Sequence, residues 1–246
     1  ELDPRERCSL LLATALNEQR AGRIHDARRL LVEVIELATR HKFAEILAVA
    51  GFPLRPRALA VVPDATARRA LDAPNIALPE RARLLRSRVL SRLSWTPPYA
   101  YDRDKRRELS LRARELAKPG DLLSSGDAVL ALHGAMSAPE DLAEAEKLNP
   151  ELERVCTEGP VSITAFEARL CRLDTSLRLC DGDDVVRQVQ LMGRIARDLR
   201  IPEVSWTYQR LELQTSFYEG GLTRVEAWLR SLYSLIDSVP ASASAN

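Results

Sequence analysis

Apolar residues recur every three to four positions along almost the whole chain, and alternating apolar and polar runs are nearly absent, so the pattern predicts helices and no sheet. The first helix is expected over about 4–20, with Asp3 as its cap and Pro4 in its first turn. Gly22 interrupts the pattern. A second helix follows over about 24–40, with apolar positions at Ile24, Leu30, Leu31, Val34, Ile35 and Leu37, and a third over about 43–50. Residues 51–78 hold four prolines and read as an irregular excursion around one or two short helices. Helices resume at about 79–94, 103–117, 121–134, 139–154, 160–181, 183–199, 203–219 and 222–238. Short connections make neighbours antiparallel, and the closing "PASASAN" reads as a disordered tail over 240–246.

A helix of a simple bundle has one apolar stripe, whereas 203–219 has two. Trp206, Leu213 and Phe217 form one, and Val204, Tyr208, Leu211 and Tyr218 form the other. Such a helix needs neighbours on both sides, as in a stacked array of helix pairs. The stretch "AGRIHDARRLLVEVIELA" at 21–38 sets Gly22 in the turn, the small Ala27 where helices approach, and Leu31 and Val34 in the gap to the next pair. "EGGLTRVEAWLRSLYSL" at 219–235 repeats this frame from Gly220, with Val225, Leu229 and Leu232, and "DGDDVVRQVQLM" at 181–192 repeats it more weakly from Gly182, with Arg187 at the small-residue position. Residues 1–239 therefore read as one all-α helical-repeat domain.

Composition narrows the function classes. The chain has 36 basic and 35 acidic residues and a net charge of +1, which gives no global attraction to nucleic acid or anionic membrane. The arginines at 81, 83, 86, 88 and 92 and the run "RDKRR" at 103–107 are diluted by Glu80, Asp102, Asp104 and Glu108, and read as a solvated or internally paired surface. Cys8, Cys156, Cys171 and Cys180 lack metal-ligand spacing, and His25, His41 and His133 are scattered, so no metal and no cofactor is expected. The four thiols read as free and buried in a reducing compartment, and the chain as cytoplasmic. No phosphate-cradling glycine loop or nucleophile elbow is present, and the acidic pairs Glu140–Asp141 and Asp183–Asp184 both open helices, where carboxylates complement the helix dipole without chemistry. The stretch "ALHGAMSAPEDL" at 131–142 has the ingredients of a catalytic loop, but reads as the corner between two helices, with Pro139 starting the second.

The segments "RCSLLLATALNEQRAGRIHDARRLL" at 7–31, "LPERARLLRSRVLSRLSW" at 78–95, "RRELSLRARELAKPGD" at 106–121 and the corner at 131–142 with its following acidic helix resemble, in this order, the tetratricopeptide-like region of bacterial signal-transduction ATPases and of LuxR-type or cyclase-linked regulators. The resemblance implies a right-handed solenoid of antiparallel helix pairs. It also implies a non-enzymatic sensor or interaction domain of a larger bacterial regulator, with ATPase and DNA-binding modules as neighbours. The first helix of each pair would line the concave face. Counting from the turn glycines places Ser9, Leu12, Leu16, Gln19 and Arg20 there, then Arg169, Arg172 and Ser176, then Thr207, Arg210, Gln214 and Phe217. Arg172, Arg210 and Gln214, with Gln19 and Arg20, are the candidate contacts to a protein or peptide partner or a small anionic effector. No catalytic residue and no direct nucleic-acid contact is assigned. A stand-alone scaffold, or a helical enzyme whose site is invisible in one dimension, are the alternatives.

Overall fold

In the computed structural model, which describes residues 2–54, 65–96 and 99–218 together with Gly220 and residues 225–226, every regular element is helical. The helix expected over 222–238, most of the repeat frame after Gly220, the tail at 240–246 and part of the excursion at 51–78 lie outside the described residues. The helices are α1 (Pro4–Arg20), α2 (Ile24–Arg40), α3 (Ala44–Gly51), α4 (Ala65–Ala77), α5 (Arg83–Leu93), α6 (Arg103–Leu116), α7 (Leu122–Ala135), α8 (Leu142–Glu146), α9 (Asn149–Thr157), α10 (Ile163–Arg178), α11 (Gly182–Leu199) and α12 (Pro202–Tyr218). The sequence reads as one domain, whereas packing divides the chain into two compact units, Glu1–Ser137 and Ala138–Asn246.

Helix starts follow local chemistry. The side chains of Asp3, Asp102, Asp121, Ser162 and Asp181 each accept a hydrogen bond from a first-turn N–H, at 2.9–3.2 Å. Each such cap contributes about 1 kcal/mol. The helix expected over 139–154 is broken into a short 3-10 turn at Pro139–Asp141, then α8, then α9. Pro150 lacks the N–H that would continue α8 and instead sits in the first turn of α9. α4 is longer than the prolines of 51–78 suggest, and carries Pro74 near its end.

In the first unit each helix packs on the helices before and after it, and α1 with α3, α3 with α5, and α5 with α7 also touch. Hydroxyls tie neighbouring helices together: Ser87 donates to the Ala113 carbonyl at 2.7 Å and Ser110 to that of Ala131 at 3.1 Å. One apolar core spans α1 to α4 around Leu31, Val34, Leu47 and Leu54, and a second lies around Leu71, Val89, Leu93 and Leu109. Burial of each such side chain stabilises by about 1.5–3 kcal/mol. In the second unit α9, α10, α11 and α12 pack in sequence, around Phe166, Leu173, Met192 and Val204.

The two units share one local design, 158 residues apart. Gly22, Lys42, Cys180 and Arg200 all adopt left-handed backbone, with φ of 78°, 57°, 57° and 51°. After α1, the Arg23 N–H donates to the Glu18 carbonyl and Gly22 to Gln19; after α2, Phe43 donates to Ala38 and Lys42 to Thr39; after α10, Asp181 donates to Ser176 and Cys180 to Leu177. This paired closure caps a helix C-terminus through a left-handed residue, a place where glycine has no steric penalty. Buried positions match in the same register: Cys8 with Phe166, Ala15 with Leu173, Leu31 with Val189, Val34 with Met192, Ala38 with Ala196, and Ile46 with Val204. The turns and buried positions of α1–α2–α3 and of α10–α11–α12 thus fall in one register. Because Lys42 and Cys180 fill glycine positions, Lys42→Gly and Cys180→Gly are each expected to raise stability by about 1 kcal/mol in urea titration. Lower stability in both variants would contradict the shared turn.

The corner at 131–142 forms where the apolar pattern breaks: α7 ends at Ala135 and the next helical turn begins at Pro139. His133 is buried within α7. Gly134 serves close packing, because a Cβ there would lie 2.2 Å from Cζ2 of Trp95 and 2.5 Å from a terminal nitrogen of Arg106, whose guanidinium stacks 4.3 Å from the Trp95 ring centre. Gly134→Ala is expected to cost about 1–3 kcal/mol by overpacking, with a change in Trp fluorescence. An unchanged melting temperature would count against this contact.

Candidate functional site

Three polar residues of the second unit that the sequence assigns to a binding face, Arg169, Arg172 and Ser176, converge on a network inside it. α10 turns Arg169 and Arg172 toward α9, where both meet Glu153. The Arg169 guanidinium grips the Glu153 carboxylate with both terminal nitrogens, at 2.6 and 2.9 Å, and one of them also donates to Gln188 Oε1 at 3.2 Å. Arg172 donates to the same carboxylate and lies 3.9 Å from Asp184. Asp184, in the first turn of α11, also accepts from Ser176, from Arg187 Nε at 2.8 Å and from Gln188 Nε2 at 3.1 Å. The Arg169 and Arg172 side chains are only 6 % and 14 % exposed, so these charges face protein, not solvent.

Electrostatics follow from this geometry. Burial opposes ionisation of Asp184, yet hydrogen bonds from Ser176, Arg187 and Gln188 outweigh it and hold the carboxyl at about 2. Burial likewise opposes ionisation of Glu153, and Arg169 and Arg172 overcome it, leaving the group below its ordinary value. Burial pushes the nearby Cys156 thiol up to about 11. Carboxylates held ionised and saturated with donors are poor proton-transfer groups, and a protonated thiol is a poor nucleophile. The network is built to join α9, α10 and α11.

The groove assignment changes with the turn. The sequence counts this repeat from Gly182, but Gly182 is the first residue of α11, and the left-handed turn residue is Cys180. Counted from Cys180, the positions equivalent to Ser9, Leu12 and Leu16 are Glu167, Leu170 and Asp174, not Arg169, Arg172 and Ser176. Arg172 is therefore an internal ion-pair residue. Gly220 does adopt left-handed backbone, with φ of 80°, but Thr207, one of the positions counted from it, is buried and donates its hydroxyl to the Glu203 carbonyl.

Arg210 lies half-buried on α12 with its guanidinium 5.2 Å from the Trp206 ring centre. Its Nε is buried with no hydrogen-bond partner among the described residues, and burial lowers the basicity of the group. Gln214 is exposed one turn further on, beside exposed Phe217 and Tyr218. In the first unit Gln19 is half-buried and Arg20 exposed at the end of α1. The structure thus brings Arg210 and Gln214 together on one helix, Gln19 and Arg20 on another, and sets Arg172 apart.

The other basic residues are mostly paired internally. Arg83 donates to the carbonyls of Glu115 and Leu116 at the end of α6, at 2.6 and 3.3 Å. Arg88 and Arg92 both bind Asp127 at 2.8 Å, and lie 4.5 and 5.8 Å from the Phe52 ring centre. Asp127 has a side chain only 2 % exposed. Cys8 and Cys171 are buried as expected, Cys156 is half-buried, and Cys180 is exposed because α10 ends before it. Among the described residues no group of three His, Cys, Asp or Glu side chains is placed to hold a metal, and no helix is long and apolar enough to cross a membrane. Comparison with known protein families, with curated proteins and with solved structures finds no match for this chain.

Proposed function

We propose that the chain is a non-enzymatic helical-repeat recognition module of the tetratricopeptide-like type, a right-handed solenoid in a larger bacterial cytoplasmic regulator. It binds a protein, a peptide or an anionic effector, and occupancy shifts the packing of successive helix pairs. The observation that carries this reading is the common register of α1–α2–α3 and α10–α11–α12, with left-handed turns at matching positions. A chain assembled from repeated helix units exposes helix faces in series, the form suited to holding extended partners. The resemblance of residues 7–31, 78–95 and 106–121 to regulator solenoids supports the setting.

Contact is assigned to Arg210 and Gln214, with a separate contribution from Gln19 and Arg20. Arg210 is held against Trp206 and pairs with no carboxylate among the described residues, so an anionic group of a partner would give it charge-assisted hydrogen bonds. Such a charge-assisted bond contributes about 1.5–3 kcal/mol. Partners recovered from host lysate are to be purified and their affinities measured for wild type and for the double variant Arg210→Ala with Gln214→Ala. The expected outcome is binding weakened at least about tenfold, with an unchanged melting temperature. Equal affinities in the two proteins would move recognition to another face.

A further inference from the structure

In each unit two arginines share one carboxylate, but their charges are balanced differently. In the second unit Arg169 and Arg172 both bind Glu153, and a second carboxylate, Asp184, lies 3.9 Å from Arg172. Arg187, which also binds Asp184, is 62 % exposed, so water takes up its charge. In the first unit Arg88 and Arg92, one turn apart on α5, bind opposite oxygens of Asp127 at 2.8 Å. Among the described residues no second carboxylate lies within ion-pair distance of either. Asp121 is within electrostatic reach of Arg88, but its carboxylate caps α7 through the Ser124 N–H at 2.9 Å, and Lys118, also within its reach, offsets its charge. One guanidinium charge thus stays unbalanced where the Arg88 and Arg92 side chains are only 24 % and 11 % exposed. A surplus charge in so poorly solvated a place is costly until an anion meets it.

We propose that Arg88 and Arg92 form a binding site for a phosphate group. Arg88 uses its Nε for Asp127, which leaves its two terminal nitrogens as a fork; Arg92 uses one terminal nitrogen, which leaves the other. None of these three nitrogens makes a hydrogen bond among the described residues. The Nε of Arg92 is also buried with no partner among them. A fork takes two oxygens of an anion, and a carboxylate then has no third oxygen to offer Arg92, whereas a phosphate group has one. The donors are also held in advance. Asp127 fixes both guanidinium groups from α7, and the Phe52 ring centre lies 4.5 and 5.8 Å from them, so little side-chain freedom is lost on binding. The site shares no residue with Arg210, Gln214, Gln19 or Arg20, and stands or falls apart from them.

Calorimetric titration of the purified chain with inorganic phosphate, and separately with glycerol phosphate, tests it at fixed pH and ionic strength. Saturable binding at one site is expected; tighter binding of the ester assigns the site to an esterified phosphate, and tighter binding of the inorganic ion to free phosphate. Acetate, which presents a carboxylate, is expected to bind at least about tenfold more weakly than either. Arg88→Gln can still donate to Asp127 but has lost the fork and the charge, and is expected to weaken phosphate binding at least about tenfold. Arg88→Lys keeps the charge near Asp127 and serves should the first variant fail to fold; it too lacks the fork and is expected to bind phosphate several-fold more weakly than wild type. Arg112→Gln removes an exposed arginine of α6 and is expected to bind as wild type does. Absence of saturable binding overturns the proposal, as does binding that both Arg88 variants leave unchanged. Equal binding of acetate overturns the phosphate assignment, and an equal loss in Arg112→Gln would reduce the site to general charge attraction.

Discussion

Replacing Asp127 with alanine is expected to destabilise the first unit by about 3–5 kcal/mol, because it leaves two guanidinium groups without the carboxylate that both bind, in a poorly solvated place. The Arg92 side chain is 11 % exposed and that of Arg88 24 %, and both lie against Phe52, so water cannot replace the lost partner well. The effect is largest for Arg92, whose Nε is already buried without a hydrogen bond. A triple variant, Arg88→Met with Arg92→Met and Asp127→Leu, separates the two meanings of an ion pair. Where apolar residues fill the same space, stability should return to near the wild-type value, as for other buried ion clusters replaced whole. Urea unfolding followed by circular dichroism measures both. A loss below about 1 kcal/mol for Asp127→Ala would mean the cluster is far wetter than its burial indicates.

The same cluster shows how much of the molecule can be read from the sequence. Helix spacing, caps and the turn at Gly22 are local, and the expected bounds of α1, α2 and α3 agree with the observed ones to within a residue. The corner at 136–138 was equally legible, since Pro139 and the acidic pair mark a helix start. The assignment of Gly182 to the turn was not. Glycine marks a left-handed turn only where glycine happens to fill it, and here Cys180 does so while Gly182 opens the next helix. That two-residue shift placed Arg169 and Arg172 on a groove when they point at Glu153, which is 16 and 19 residues earlier in the chain. A signal did exist: Gln188 interrupts the apolar stripe formed by Val185, Val189, Met192 and Ala196, at the position where α2 has Leu30. A fully buried amide in an apolar stripe requires a polar partner, and the partner is Arg169. The Arg88–Asp127 and Arg92–Asp127 pairs join residues 39 and 35 apart, a separation no helical periodicity reports.

Glu153→Ala is the corresponding test of the second unit, and it is expected to cost about 2–3 kcal/mol, less than Asp127→Ala because the Glu153 side chain is 38 % exposed and solvent screens part of the pairing. Arg169 loses its bidentate carboxylate and keeps only Gln188, while Arg172 keeps the more distant Asp184. Glu153→Gln should cost less than alanine, because the amide oxygen can still accept from Arg169, yet more than a surface change, because the charge is gone. Acid should reproduce part of the loss. Asp184 and Glu153 have folded-state values below their ordinary ones, so their contribution is complete above the ordinary carboxylate range and falls as pH drops toward about 2, the value for Asp184. For Asp184 alone, lowered from 3.8 to about 2, the linked stabilisation is about 2 kcal/mol. Unfolding free energy measured between neutral pH and pH 2 should therefore hold steady down to about pH 4 and then decline. Glu153→Ala should decline less steeply over the same window, having already lost one of the two coupled carboxylates. A variant as stable as wild type at neutral pH, with the same acid profile, would show that α9 is held to α10 by its apolar contacts at Leu152 and Val155 and that the ion pairs contribute nothing net.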